Sequence, residues 1–94
     1  MIKNFTDKTL EQCWRFGNCH KLRADLKHRI LMKLDSMDAA TCLDDLRNPP
    51  GNHLHELHGK DYEGYWAIAI NDPWRLVFMP QNGDIYNVRL EQYH

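Results

Sequence analysis

The hydrophobic period of this chain changes once, and the change falls at RNPPGN, residues 47–52. Before it, apolar residues recur every three to four positions. After it, they recur every second position. A helix repeats every 3.6 residues and a strand every two, so helices come first and strands follow. Two prolines and a glycine cannot continue a helix, which makes 47–52 a loop. Helices followed by a run of strands predict an α+β fold, with the N-terminal helices packed on one face of a small antiparallel sheet. At 94 residues the chain is expected to be one domain, 1–94. Apolar residues make up 43% of it, enough for one small core. A chain of this size buries only about 60–65% of its unfolded surface, so modest stability is expected.

The helical half begins with IKNF at 2–5, a short strand candidate, followed by Thr6-Asp7 as a helix N-cap. A helix is predicted from Asp7 to about Phe16, with Leu10, Cys13 and Trp14 on one face and Gly17-Asn18 as its stop. A second helix is predicted from about Lys21 to Met37. Its stripe is Leu22, Leu26, Ile30, Leu34 and Met37. Ala39 to Leu46 reads as a short third helix capped by Asp38. The strand half contains HLHEL at 53–57, YWAIAIN at 65–71, PWRLVFM at 73–79 and DIYNVRLEQYH at 84–94. Alternation puts Trp66, Ile68 and Ile70 on one face, and likewise Trp74, Leu76 and Phe78. In the last strand it groups Tyr86, Val88 and Leu90 against Ile85, Asn87 and Arg89. Asn82-Gly83 is a strong hairpin signal.

Composition excludes several classes. The aromatic content argues against disorder. There is no apolar run of about 18 residues, so no membrane span is expected. The start, MIKNFTDKTLEQ, lacks the apolar stretch of a signal peptide, so a cytoplasmic protein is expected. Cys13, Cys19 and Cys42 have no paired spacing, and three reduced thiols are expected in that compartment. A formal net charge of −1 counts against a strong non-specific nucleic-acid binder. Charge is unevenly spread, however. HKLRADLKHRILMK at 20–33 holds Lys21, Arg23, Lys27, Arg29 and Lys33 against the single acid Asp25, a candidate basic face for RNA.

The helices cover one face of the predicted sheet. The other is solvated unless something binds there. On that second face the sequence places Arg75 and, on a neighbouring strand, Arg89. His53 and His55 share a face by period two, His58 lies just beyond, and Tyr93-His94 ends the chain. Read this way, the cluster has histidines, arginines and a tyrosine but no acid. His-x-His-x-x-His at 53–58 also has a metal-ligand spacing, without a Cys or acid to complete it. The cluster suits RNA scission. That reaction needs a base for the ribose 2′-OH, an acid for the leaving 5′-oxygen, and cations around the phosphorane. Histidine can be either base or acid near neutral pH, and arginine grips phosphate oxygens bidentately. The substrate's own hydroxyl is the nucleophile, so no metal or cofactor is required.

The C-terminal half also resembles the HigB toxins of the RelE/ParE superfamily. Their pattern is roughly a P-G-x-x-L-x-x-L-x-G segment, then G-x-W-x-I-x-V-N-x-x-W-R-x-x-F, then a last strand ending D-Y-H. The matching pieces are Pro50-Gly51, Leu54, Leu57 and Gly59, then Gly64 through Phe78, then Tyr93-His94. The start MIKNF and the turn from Leu34 to Ala40 also fit. The resemblance implies a RelE-like fold and the toxin of a bacterial type II toxin–antitoxin pair. It further implies an endoribonuclease that cuts mRNA in the ribosomal A site and is neutralised by a helix-turn-helix HigA antitoxin. Arg75, His55, Tyr93 and His94 match the family's site positions. This chain departs in two places, with His58 for a usual lysine and Gln92 for a usual aspartate. Those two departures imply weakened activity. Two alternatives share the fold: a ParE-like inhibitor of DNA gyrase, and a weakened toxin acting mainly in a repressor complex with its antitoxin.

Overall fold

The computed structural model describes residues 1–92. Helix α1 spans Lys8–Phe16 and α2 spans Ala24–Ala39. Asp7 caps α1, its Oδ1 accepting from the Leu10 amide at 3.1 Å. Its Oδ2 accepts from the Leu90 amide at 3.2 Å, so the cap also fastens α1 to the last strand. Gly17 ends α1 in the left-handed region, φ 72°, its amide donating back to Cys13. That turn returns residue 19 to the helix, with the Cα atoms of Cys13 and Cys19 4.2 Å apart and their sulfurs bonded. The expectation of three reduced thiols is therefore corrected; Cys42 alone is free. Helix α2 starts at Ala24 rather than near Lys21. Its stripe of Leu26, Ile30, Leu34 and Met37 is fully buried, as the spacing predicts.

The third helix is not α-helical. Ala39 closes α2, Ala40 is extended, and a 3-10 turn covers Leu43–Arg47. Asp38 does not cap it; its carboxylate accepts from the Ile2 amide at 2.9 Å. Asp45 takes the capping role instead, accepting from the Thr41 amide at 2.9 Å. The amino-terminal segment forms single parallel bridges, Ile2 to Ile85 and Phe5 to Val88, rather than a strand.

Four antiparallel strands follow in sequence order: β1 His55–Glu56, β2 Trp66–Asn71, β3 Trp74–Gln81 and β4 Asp84–Gln92. Strand β1 is shorter than predicted. A 3-10 turn at Pro50–Asn52 ends with His53 in the left-handed region, φ 47°, so His53 is no strand residue and does not share a face with His55. The β3–β4 hairpin turns on Asn82, φ 53°, and Gly83, φ 83°, as the Asn-Gly pair predicts. A Cβ at Gly83 would also lie 2.7 Å from the Thr41 carbonyl oxygen.

Alternation holds on β2 and β3. Ile68, Leu76 and Phe78 are fully buried against the helices, with Trp66 and Trp74 packed at the margin. It fails early in β4, where the register slips by one between Val77 and Met79. Asn87 sits in this bulge at φ 56°, its amide donating to Asn4 Oδ1 at 3.0 Å. The extra residue puts Ile85, not Tyr86, in the core beside Val88 and Leu90. The second face is not simply solvated either. Ala67 and Val77 are fully buried there, under Leu57, Tyr62 and Tyr65.

Candidate active site

Cross-strand pairing lays the second face out in rows. One row reads His55, Ala67, Val77, Arg89; the next reads Ala69, Arg75, Glu91. Paired residues share a face, so His55, Arg75 and Arg89 do lie on one surface. The acid-free reading of this cluster is wrong. Glu91, the cross-strand partner of Arg75, sits between the two guanidinium groups. Arg89 Nε donates to its Oε2 at 2.6 Å, and Arg75 Nη2 to its Oε1 at 3.3 Å. The Tyr62 hydroxyl donates to the same Oε1 at 2.9 Å.

Aromatic rings close the cluster from above. Both guanidinium carbons stand over the Tyr62 ring, Arg75 at 5.7 Å and Arg89 at 5.8 Å from its centre. Arg89 is 4.8 Å from the Tyr65 centre. Tyr65 is itself tied to the β4 bulge, its hydroxyl accepting from Asn87 Nδ2 at 3.1 Å. The 3-10 turn at Lys60–Tyr62 carries Tyr62 over the strands.

Only 12% of the Arg75 side chain and 20% of that of Glu91 are exposed, so water screens these charges weakly. Burial pushes the Glu91 carboxyl up, but the hydrogen bonds from Arg89 and Tyr62 outweigh it and hold the group below its ordinary value. Burial likewise pulls Arg89 down, and Glu91 more than restores it. Glu91 is thus ionised at neutral pH. Two guanidinium groups and one carboxylate leave the cluster with one positive charge, which suits a phosphodiester.

His55 lies on the same face, two strand spacings across and two residues along from Arg75, or about 12 Å between backbones. Its Nδ1 is 2.7 Å from the His53 carbonyl oxygen, which can only accept. Nδ1 therefore carries the hydrogen, and Nε2 is the basic nitrogen of the neutral ring. His58 is exposed in the turn after β1. Tyr93 and His94 lie outside the described residues. Among the described residues no group of three or more His, Cys, Asp or Glu side chains gathers as a metal site.

The proposed RNA face is divided. Arg89 belongs to the cluster. Lys21, Arg23, Lys27 and Arg29 are exposed on α2 and its lead-in, and α2 covers the opposite face of the sheet. Arg23 is paired with Asp25 at 3.0 Å and lies 5.6 Å from the Trp74 ring centre. Arg29 Nη1 donates to the Ile70 carbonyl at 3.1 Å, reaching the edge of β2.

Sequence reasoning missed Glu91, Tyr62 and Tyr65. The signal for Glu91 was present, since it stands two residues after Arg89 and must share its face.

A two-helix layer on an antiparallel sheet, with a cationic cluster on the uncovered face, defines a small α+β domain. The chain belongs to the family described as RelE-like toxin of type II toxin–antitoxin system HigB, which matches residues 3–94. It is 38% identical over 94 residues to "Endoribonuclease HigB" of Proteus vulgaris, covering 100% of both chains. It is 34% identical over 94 residues to "Toxin HigB-1" of Vibrio cholerae serotype O1, covering 99% of this chain and 98% of that one. Membership implies an antitoxin partner. No described helix is long and apolar enough to cross a membrane.

Proposed function

We propose that the chain is an endoribonuclease toxin that cuts mRNA on the translating ribosome, in the cytoplasm, and is held inactive by a HigA-type helix-turn-helix antitoxin. The observation that carries this reading is the Arg75–Glu91–Arg89 cluster, a weakly hydrated site of net positive charge on the uncovered sheet face. Arg75 grips the scissile phosphate and stabilises the charge that builds on its oxygens. Glu91 and Tyr62 hold that guanidinium in place, and Arg89 adds to the field. The ribose 2′-oxygen attacks phosphorus, its proton passes to a base, and the P–O5′ bond breaks. An acid protonates the leaving 5′-oxygen, and a 2′,3′-cyclic phosphate remains. His55, Tyr93 and His94 share the proton transfers, with His58 as an outer cation when protonated. The likeness to a relative named as an endoribonuclease supports the chemistry.

The test is in vitro translation read by primer extension. New mRNA ends within the A-site codon are expected. They should vanish when ribosomes are omitted and when His94 is deleted. Intact mRNA with stalled gyrase–DNA complexes would replace this reading with the gyrase one.

A further inference from the structure

The basic helix and the Arg75 cluster lie on opposite faces of the sheet, and the edge of β2 joins them. Strand β1 pairs only with Trp66 and Ala67, so residues 69–71 run past its end. Two cavities of about 370 and 390 Å³ adjoin there and share Arg29, Gly51, Ala69 and Ile70. The first lies against α2 and is lined by His28, Met32 and Lys33, with no acid. The second runs on to His53 and Trp74, with Asp72 its one carboxylate.

Three features mark this groove as made for a polyanion. Burial and the Arg29 charge both pull the Lys33 ammonium below its ordinary value, so two cations crowd one wall. Arg29 is fixed by its bond to the Ile70 carbonyl, and Lys33 by its bond to the side chain of Asn52. Cations held this way lose little freedom on binding. Trp74 supplies a partly exposed aromatic wall, the other component of single-strand sites. The groove also borders the cluster: Ala69, which lines it, is the cross-strand partner of Arg75.

We propose that this groove binds the single-stranded messenger next to the scissile phosphate, leading it from Arg75 around the β2 edge to α2. The inference rests on the ribonuclease reading above. Arg29 and His53 bind phosphates, and Ala69 keeps the passage open.

The test uses the full chain and a labelled octaribonucleotide with every 2′-hydroxyl methylated, so that it binds without being cut. Affinity is measured by anisotropy across a salt series for wild type, for Arg29→Gln with His53→Asn, and for Ala69→Leu. Asn tolerates the left-handed backbone at position 53, and thermal melts confirm folding. For the charge variant the slope of log K against log salt should shrink by about 0.7 for each phosphate no longer neutralised. Ala69→Leu should weaken binding and leave the slope as it is in the wild type. Unchanged slope and affinity in both variants overturn the groove, while mRNA scission by the wild type keeps the ribonuclease reading standing. Loss of affinity only for mRNA-free ribosomes, or only for the antitoxin, also overturns it. A wild type that neither binds this RNA nor cuts mRNA sinks the ribonuclease reading itself.

Discussion

On one face of β3, Leu76 and Phe78 are fully buried among the side chains of α2. On the other, Arg75 lies over a shallow floor of Ala67 and Val77, with charges and phenol rings above it. One strand therefore serves two environments at alternate positions. The helix-side face is aliphatic and supplies most of the buried apolar surface. The cluster face is small, and polar groups satisfied by one another hold it together. Such a division concentrates stability on one face and leaves the other open to carry unbalanced charge.

If the faces differ this way, truncating each should hurt a different property. Phe78→Ala should cost about 3–5 kcal/mol in chemical denaturation. A loss under about 1 kcal/mol would break the comparison at its stable side. Reducing the Cys13–Cys19 bond, which closes a loop with a sequence separation of 6, should cost about 2 kcal/mol. A calorimetric scan with and without reductant reads this, and scission measured well below the lower melting temperature should be unchanged. Glu91→Gln should cost about 1–2 kcal/mol at pH 7, since a hydrogen-bonded charge is lost from a site still partly wet. Its pH dependence sharpens the comparison. The Glu91 carboxyl is lowered in the folded protein. Its contribution is therefore complete above the unfolded value of about 4.3 and fades as pH falls through the folded one. Urea titrations from pH 7 to pH 2 should show a shallower loss for Glu91→Gln than for the wild type.

Much of this division was legible in the sequence. The break at RNPPGN, the α2 stripe, the Asn82-Gly83 hairpin and the alternation of β2 and β3 all follow from local pattern. So does the placement of Arg75 and Arg89 on one face. What escaped depends on pairing between distant residues. The β4 bulge is set by Asn4, 83 positions from Asn87, and no local period shows it. Tyr62 reaches Glu91 from a turn that carries no strand or helix signal. The Cys13–Cys19 bond depends on the left-handed turn at Gly17, and His53 leaves the strand through a left-handed turn of its own. Glu91 differs from these, because alternation alone places it beside Arg89.

The most direct measurement is the single-turnover rate of mRNA scission on programmed ribosomes for Arg75→Ala beside the wild type, with folding checked by circular dichroism. A folded variant slowed by about 10²–10³ is the predicted result. A folded variant that cuts at the wild-type rate would contradict the assignment of the cluster face to catalysis.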